Sequence, residues 1–210
     1  MRSAAKLLLT TMFLCAAVAA VAADLAGKAT TEDGRKVQLY KDGTWKYATG
    51  ETKATPSGIP SGSTEKVVDP KGLATVWFDP NKWTKQSDSQ QLSQSASISM
   101  VHKSREAYAM VIAERIPVPL ATLKSFALEN AKKAAPDVKI VLEENKKING
   151  ADVLVMDMAG TLRGIPFRYH GLYWSSDKGA VQVVTYTSQN IFEEYKSDLD
   201  NLLYGVVFKK

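Results

Sequence analysis

Hydrophobic and polar residues alternate along the last third of the chain, from about Asn149 to Phe208. The alternation is interrupted at Asn149-Gly150 and Arg163-Gly164, which are dipeptides typical of two-residue turns between antiparallel strands. A polar loop at Ser176-Asp177-Lys178 predicts a further strand connection. This region is therefore predicted to form consecutive strands of one antiparallel sheet.

The Arg163-Gly164 turn determines which residues face each other on the two strands beside it. A two-residue turn here pairs Leu162 with Ile165, and counting back along both strands places Asp157 directly opposite His170. A shift of one residue would put these two side chains on opposite faces of the sheet. The pairing of Asp157 with His170 is therefore a sharp test of the predicted register.

The following loop extends this register to a third strand. If the Ser176-Asp177-Lys178 loop pairs Trp174 with Ala180, then His170 faces Val184, and the three strands present two unlike faces. The first face, predicted to be core, carries Leu154, Met156, Met158, Phe167, Tyr169, Tyr173, Val181 and Val183. The second face is mixed and carries Val155, Asp157, Arg168, His170, Leu172, Trp174, Gln182, Val184 and Tyr186.

Two helices are predicted from three- and four-residue spacing of apolar positions. The first has Pro119 in its first turn and stops before Pro136. The second is capped by Asn190 with Glu193 three residues later, a capping-box arrangement, and ends at Gly205. The buried stripes are predicted to be Leu120, Leu123, Phe126, Ala127 and Ala131 in the first helix, and Ile191, Tyr195, Leu199 and Leu202 in the second. With the earlier strand-like runs, the fold class is α+β, an antiparallel β-sheet with helices covering its faces.

The N-terminal residues have the pattern of an export signal. Arg2 and Lys6 precede an apolar run, and small residues stand just before Asp24, so residues 1–23 are predicted to be a signal peptide. Cys15, the only cysteine, lies in this segment, which leaves a mature chain without a disulfide or a thiol nucleophile. No later stretch is long and apolar enough to span a bilayer. The predicted location is periplasmic or secreted.

Three segments follow the predicted signal peptide. Residues 24–47 contain the turn dipeptides Asp33-Gly34 and Asp42-Gly43 and are predicted to form a small β meander. Residues 48–66, rich in Gly, Pro, Ser and Thr, are predicted to be a flexible linker. Residues 67–210 are predicted to form the main domain.

The charge balance argues against nucleic acid as a partner. Without Arg2 and Lys6, the 27 basic residues become 25 against 22 acidic ones, a net charge of +3. These charges are scattered, and no basic stripe with interleaved aromatic residues is present in the sequence.

Residues from about 73 to 208 resemble the PsbP-like superfamily. The resemblance rests on an opening Trp77-Phe78-Asp79-Pro80 followed by Trp83, on Asn149-Gly150, on Gly171-Leu172-Tyr173, on the strand at residues 182–187 and on the closing helix at Phe192. It implies an α/β/α sandwich and a role as a non-catalytic binding or assembly factor. It maps no binding residue of that family onto this chain.

The polar cluster on the mixed face is the candidate site. A carboxylate at Asp157 opposite His170 can orient the imidazole and raise its pKa, while Arg168 and Tyr186 suit an anionic group. The alternative is a structural cross-strand pair covered by a helix or loop. The candidate binding residues are Asp157, Arg168, His170, Trp174, Gln182 and Tyr186.

Two function classes are consistent with these residues. The first is an exported, non-enzymatic binding or assembly protein of the bacterial cell envelope, with an envelope protein or a small ligand as its partner. The second is a hydrolase or lyase that uses Asp157 and His170, although no serine in a nucleophile elbow accompanies them. His102 is the only other histidine, so neither a metal nor another cofactor is predicted.

Overall fold

The computed structural model describes residues 25–30, 36–41, 45–47 and 58–209. It divides the chain into two units, residues 1–53 and 54–210. The predicted signal peptide lies outside the described residues, as do the predicted turns at Asp33-Gly34 and Asp42-Gly43 and residues 48–57 of the predicted linker.

In the first unit, the described residues form an antiparallel meander of β1 (Leu25–Thr30), β2 (Lys36–Tyr40) and β3 (Trp45–Tyr47). β2 lies between the other two strands. Leu39 on β2 keeps 38% of its surface exposed, because so small a sheet buries little apolar surface by itself.

Within residues 58–209, the second unit forms strands and helices whose bounds, in chain order, are β4 (Glu65–Val68), β5 (Ala74–Phe78), β6 (Trp83–Lys85), β7 (Ile98–His102), β8 (Ala107–Glu114), α1 (Leu120–Ala134), β9 (Lys139–Ile148), β10 (Ala151–Leu162), β11 (Ile165–Ser176), β12 (Gly179–Ser188), α2 (Phe192–Tyr204) and β13 (Val206–Phe208). Seven of these strands make an antiparallel sheet in the order β6-β7-β8-β12-β11-β10-β9. A second sheet has the order β13-β5-β4. The predicted α+β class is confirmed.

The two tight turns that join β9 to β10 and β10 to β11 are confirmed. Asn149-Gly150 and Arg163-Gly164 adopt positive φ at both residues, as a two-residue hairpin of this kind requires. Leu162 pairs with Ile165, and Asp157 pairs with His170. The predicted register between β10 and β11 is therefore correct.

The predicted register between β11 and β12 is wrong by one residue. Ser176 pairs with Gly179, which leaves Asp177-Lys178 as a two-residue turn, and Trp174 pairs with Val181 rather than Ala180. Gly179 follows the turn with φ +149°, and a Cβ there would lie 2.2 Å from the Glu114 carbonyl oxygen. The backbone of β8 therefore requires glycine at this point.

Because of this shift, each side chain of β12 lies on the face of the sheet opposite to the one predicted. Gln182, Val184 and Tyr186, predicted to share a face with Asp157 and His170, lie on the opposite face of the sheet. Val181 and Val183, predicted for the first face, instead join the apolar cluster on the Asp157 side.

Other elements pack on both faces of the large sheet, which gives a layered sandwich. α1 packs on one face through Leu123, Ala127 and Ala131, against a cluster that includes Met156 and Tyr173. α2 and the small sheet pack on the other face, where the Trp174 ring stacks on Phe208 with centroids 5.0 Å apart. The polar face predicted from sequence is thus an interior layer.

Two details of the helix predictions are corrected. Phe126, predicted to lie in the buried stripe of α1, is 53% exposed. Asn190 lies in a short 3₁₀ turn before α2 and makes no capping hydrogen bond, since the N-cap residue of α2 is Ile191.

The chain after α2 turns sharply at Gly205. The predicted helix end is correct, but Gly205 has φ −73° rather than the left-handed conformation usual for such a glycine. A Cβ at Gly205 would lie 2.2 Å from the Trp77 carbonyl oxygen. Glycine is needed because β5 approaches the backbone there, where Trp77 N–H donates to the Gly205 carbonyl at 3.0 Å.

The predicted linker extends too far toward the C-terminus. β4 begins at Glu65, so Glu65 and Lys66, predicted to be linker, pair with Phe78 and Trp77 of β5. Earlier still, Gly58 N–H donates to the Asn149 side chain at 3.1 Å. Ordered contacts with the second unit therefore begin within the predicted linker.

Candidate functional site

The predicted cluster forms one hydrogen-bonded network. Asp157 on β10 and His170 on β11 lie side by side, and His170 Nδ1 donates to Asp157 Oδ1 at 2.5 Å. Arg168, two residues before His170, donates from Nη2 and Nε to Asp157 Oδ2 at 2.7 and 3.1 Å. One carboxylate thus binds an imidazole and a guanidinium at once.

α2 completes the network with two residues that the sequence analysis did not identify. His170 Nε2 donates to Asp200 Oδ1 at 2.9 Å, and Lys196 Nζ donates to Asp200 Oδ2 at 2.6 Å. The four-residue spacing of Lys196 and Asp200 is a sequence signal for a pair on one side of a helix. That this side meets His170 depends on where α2 packs.

Phe192, at the start of α2, packs over the network and covers it. The Arg168 guanidinium lies 4.3 Å from the centre of the Phe192 ring, and the His170 ring meets the same residue edge-on at 6.1 Å. Asp157 is 1% exposed and His170 4% exposed. The helix and its aromatic residue therefore exclude solvent from the pair.

The surroundings fix the charge of each group. Burial alone would raise the pKa of Asp157 and of Asp200, but the hydrogen bond and charge of His170 outweigh it, and both pKa values lie below the ordinary value. Burial alone would lower the pKa of His170, whereas its hydrogen bonds to Asp157 and Asp200 raise it above the ordinary value. The network is a buried imidazolium between two carboxylates.

This geometry does not support the hydrolase or lyase alternative. A general acid or base must reach a substrate atom within hydrogen-bond distance. Both ring nitrogens of His170 are already bonded to carboxylates, and the pair is covered by α2. Asp157, Arg168 and His170 therefore join the sheet to α2.

The second histidine also contacts α2. His102 Nε2 lies 3.2 Å from Asp198 Oδ2, and its Nδ1 lies 2.8 Å from Ser104 Oγ. Its ring packs edge-on between Trp83 and Tyr195, 5.2 Å from each. In the part of the chain that the structure describes, no group of three or more His, Cys, Asp or Glu side chains has the arrangement to hold a metal ion.

Trp174, predicted as a ligand contact, is buried against the small sheet. It is 4% exposed and stacks on Phe208. The polar turn beside it is exposed, but the indole points into the core because Trp174 lies on the same face as His170.

The remaining predicted residues, Gln182 and Tyr186, line a groove on the opposite face. The groove has a volume of about 820 Å³ and lies beside α1, which packs mainly on β10 and β11. Its floor is formed by alternate residues of β8, β12 and β11, which are Met110, Ile112, Gln182, Val184, Tyr186, Tyr169 and Tyr173. Three residues that line its walls have exposed apolar side chains: Ile116, Phe126 and Leu162.

A row of aromatic rings crosses the sheet at one end of this floor. Tyr108 stacks on Tyr186 at 5.2 Å, Tyr186 meets Tyr169 edge-on at 5.6 Å, and Tyr169 packs against Phe167 at 4.7 Å. The register explains the row, because Tyr186 is paired with Tyr108 on one side and Tyr169 on the other. The groove was not predicted from the sequence, because the predicted register placed Tyr186 on the other face.

Comparison with solved structures confirms the PsbP-like fold. The solution structure of cyanobacterial PsbP (CyanoP) from Synechocystis sp. PCC 6803 is similar with a TM-score of 0.55 and 12% identity, over 74% of this chain and 98% of that chain. The Saccharomyces cerevisiae Ran-binding protein Mog1p is similar with a TM-score of 0.50 and 9% identity, over 69% of this chain and 94% of that chain. At these identities the likeness concerns the fold.

A comparison with curated proteins gives no significant match. Among the helices of the described residues, none has the length and apolar character needed to cross a membrane. A family model matches residues 6–159, and the chain therefore belongs to the family described as "Protein of unknown function (DUF3157)".

Proposed function

We propose that this chain is an exported, non-enzymatic binding protein of the bacterial cell envelope, and that its ligand site is the groove beside α1. The observation that carries the proposal is the groove itself, an apolar cleft of about 820 Å³ on a layered sandwich. Small-molecule sites are typically clefts of roughly 300–1,000 Å³ with apolar walls and few polar groups. The groove has this size and this lining.

The exposed apolar side chains at the groove support a ligand. Ile116 is 63% exposed and Phe126 53% exposed, and both border the same cleft. Exposed apolar side chains at the rim of a cleft are typical of a binding site. A small molecule in the groove would remove this surface from water.

The fold is compatible with a binding role. The similar structure from Saccharomyces cerevisiae is described as a Ran-binding protein. The buried network and the groove lie on opposite faces of the large sheet, so a ligand in the groove does not meet Asp157 or His170.

A binding assay tests the groove. Purified protein is titrated with N-phenyl-1-naphthylamine, an uncharged dye that fluoresces in apolar surroundings, and saturable binding is expected. Ile112, partly buried on the floor, is replaced in I112W to fill the groove, and binding should weaken about tenfold or more. Val141 is 43% exposed on β9 and does not line the groove, so V141W is the matched control.

Two results would refute the groove as the site. One is the lack of saturable dye binding by the wild-type protein. The other is equal binding by wild type, I112W and V141W when all three show the same circular dichroism spectrum.

The export proposal rests on the predicted signal peptide, residues 1–23. Cell fractionation and the intact mass of the purified protein test it. A mass corresponding to a chain that begins near Ala23 or Asp24, in a periplasmic or secreted fraction, is expected. A cytoplasmic protein that retains Met1 would overturn it.

A further inference from the structure

Tyr173 carries a polar group that the described part of the protein leaves without a partner. The side chain is fully buried on the groove floor, and its hydroxyl has no hydrogen bond. A buried hydroxyl without a partner costs free energy and is rare in folded proteins. An unpaired hydroxyl at a binding cleft is therefore a candidate ligand contact.

The position of this hydroxyl is set by a glycine on the same strand. A Cβ at Gly171 would lie 3.2 Å from the Tyr173 hydroxyl oxygen, so the phenol lies over the backbone of Gly171. Gly171 is paired with Val184, which also lines the groove. The hydroxyl thus lies close to the backbone of β11.

The floor around Tyr173 carries no ionised group. The groove-lining residues that carry charge are Glu114, Glu129 and Lys133, and all three are exposed at the edge. Glu114 is also paired with Lys71 at 2.5 Å. A charged ligand group that binds at the groove floor would lose its hydration without gaining a counter-charge, which is strongly unfavourable.

The protonation state of Tyr173 is also fixed. Burial raises the pKa of the Tyr173 hydroxyl far above its ordinary value, so it stays protonated at physiological pH. It therefore offers an O–H donor to an acceptor on the ligand.

We infer that the groove selects an uncharged, largely apolar ligand that carries a hydrogen-bond acceptor such as an ester or amide carbonyl, and that the Tyr173 hydroxyl donates to this acceptor. The inference rests on the proposed function and specifies the ligand of the same groove. Tyr173 is the selecting residue, while Ile112 and Phe126 supply apolar contact.

The test is displacement of N-phenyl-1-naphthylamine by two matched competitors at pH 8. Methyl decanoate is uncharged and carries a carbonyl acceptor, whereas decanoate has a similar chain and a full negative charge. Methyl decanoate should displace the dye at a concentration at least about tenfold lower than the concentration of decanoate that is needed. The Y173F substitution should weaken the displacement by methyl decanoate roughly 3- to 10-fold, which is the effect of one hydrogen bond.

Y195F is the matched control. The Tyr195 hydroxyl donates to Glu106, and this residue lies on the opposite face of the large sheet and does not line the groove, so its loss should leave displacement unchanged. Saturable dye binding combined with equal displacement by Y173F and wild type would refute the inference and leave the proposed function standing. Decanoate competing as well as methyl decanoate would also refute it. A wild-type protein that binds no dye would refute both.

Discussion

His170 on β11 donates to Asp200 on α2 at 2.9 Å, and this bond joins the large sheet to the helix that covers it. The opposite ring nitrogen binds Asp157 in the same sheet. His170 is therefore a bridge between two layers, and its charge is balanced on both sides.

Replacement of His170 by alanine should strongly destabilise the protein. H170A leaves Asp157 and Asp200 without the cation between them, and breaking a buried ionic network by removing one partner costs about 3–5 kcal/mol. The free energy of unfolding, measured by urea denaturation, should fall by this amount. D152N is the control, because Asp152 is highly exposed in its ion pair with Lys147 and should change stability little. Equal stability of H170A and D152N would show that the network does not hold the layers together.

The contribution of His170 to stability should depend on pH. The pKa of His170 is raised above 6.5, so its stabilisation is complete below that value and is lost as the pH rises through the folded-state pKa. The pKa values of Asp157 and Asp200 are lowered below 3.8, so their stabilisation is present above 3.8 and is lost as the pH falls further. Arg168 and Lys196 are the basic side chains that donate to these carboxylates.

The window of greatest stabilisation therefore lies between about pH 4 and pH 6.5. The difference in unfolding free energy between wild type and H170Q should be largest near pH 5–6 and should shrink as the pH rises further above 6.5. Urea denaturation at several pH values measures this difference. A difference that grows between pH 6 and pH 9 would mean that His170 is neutral in the folded protein.

Turn chemistry explains why the pairing of Asp157 with His170 could be predicted. Arg163-Gly164 is a dipeptide that can form a two-residue turn, and β10 and β11 alternate clearly enough to fix the register. The Asp177-Lys178 turn is less distinctive, because glycine follows the turn instead of standing within it. β12 is also buried on both faces, so a one-residue slip left no polar side chain in an obviously wrong place.

The groove could not be predicted because its floor depends on the actual register of β12 and its opening depends on the packing of α1. Phe126 follows the helical spacing of a buried residue, yet it is exposed because α1 covers only part of its face of the sheet. Asp200 was missed for a similar reason. Local sequence predicts that α2 is amphipathic, but its position over His170 is set by contacts between layers.

Replacement of Gly205 by alanine should destabilise the second unit by about 3 kcal/mol, the upper end of the usual range for overpacking. The added Cβ would lie 2.2 Å from the Trp77 carbonyl oxygen, so β5 and the end of α2 must separate. G164A is the control, because Gly164 has φ +82° but no atom within 4 Å of an added Cβ. That control should cost about 1 kcal/mol from backbone strain alone. Thermal unfolding compares the two, and a smaller loss for G205A than for G164A would contradict the close approach.

Replacement of Tyr173 by phenylalanine should raise the stability of the free protein, because it removes a buried hydroxyl that has no partner. The expected gain is about 1 kcal/mol in the free energy of unfolding, since an unsatisfied buried group costs at least this much. The same substitution at Tyr195 should have the opposite sign, because the Tyr195 hydroxyl donates to Glu106 Oε2 at 2.5 Å. Urea denaturation of wild type, Y173F and Y195F without ligand measures both changes. A loss of stability in Y173F as large as that in Y195F would show that the protein already satisfies the Tyr173 hydroxyl and has no need of a ligand to do so.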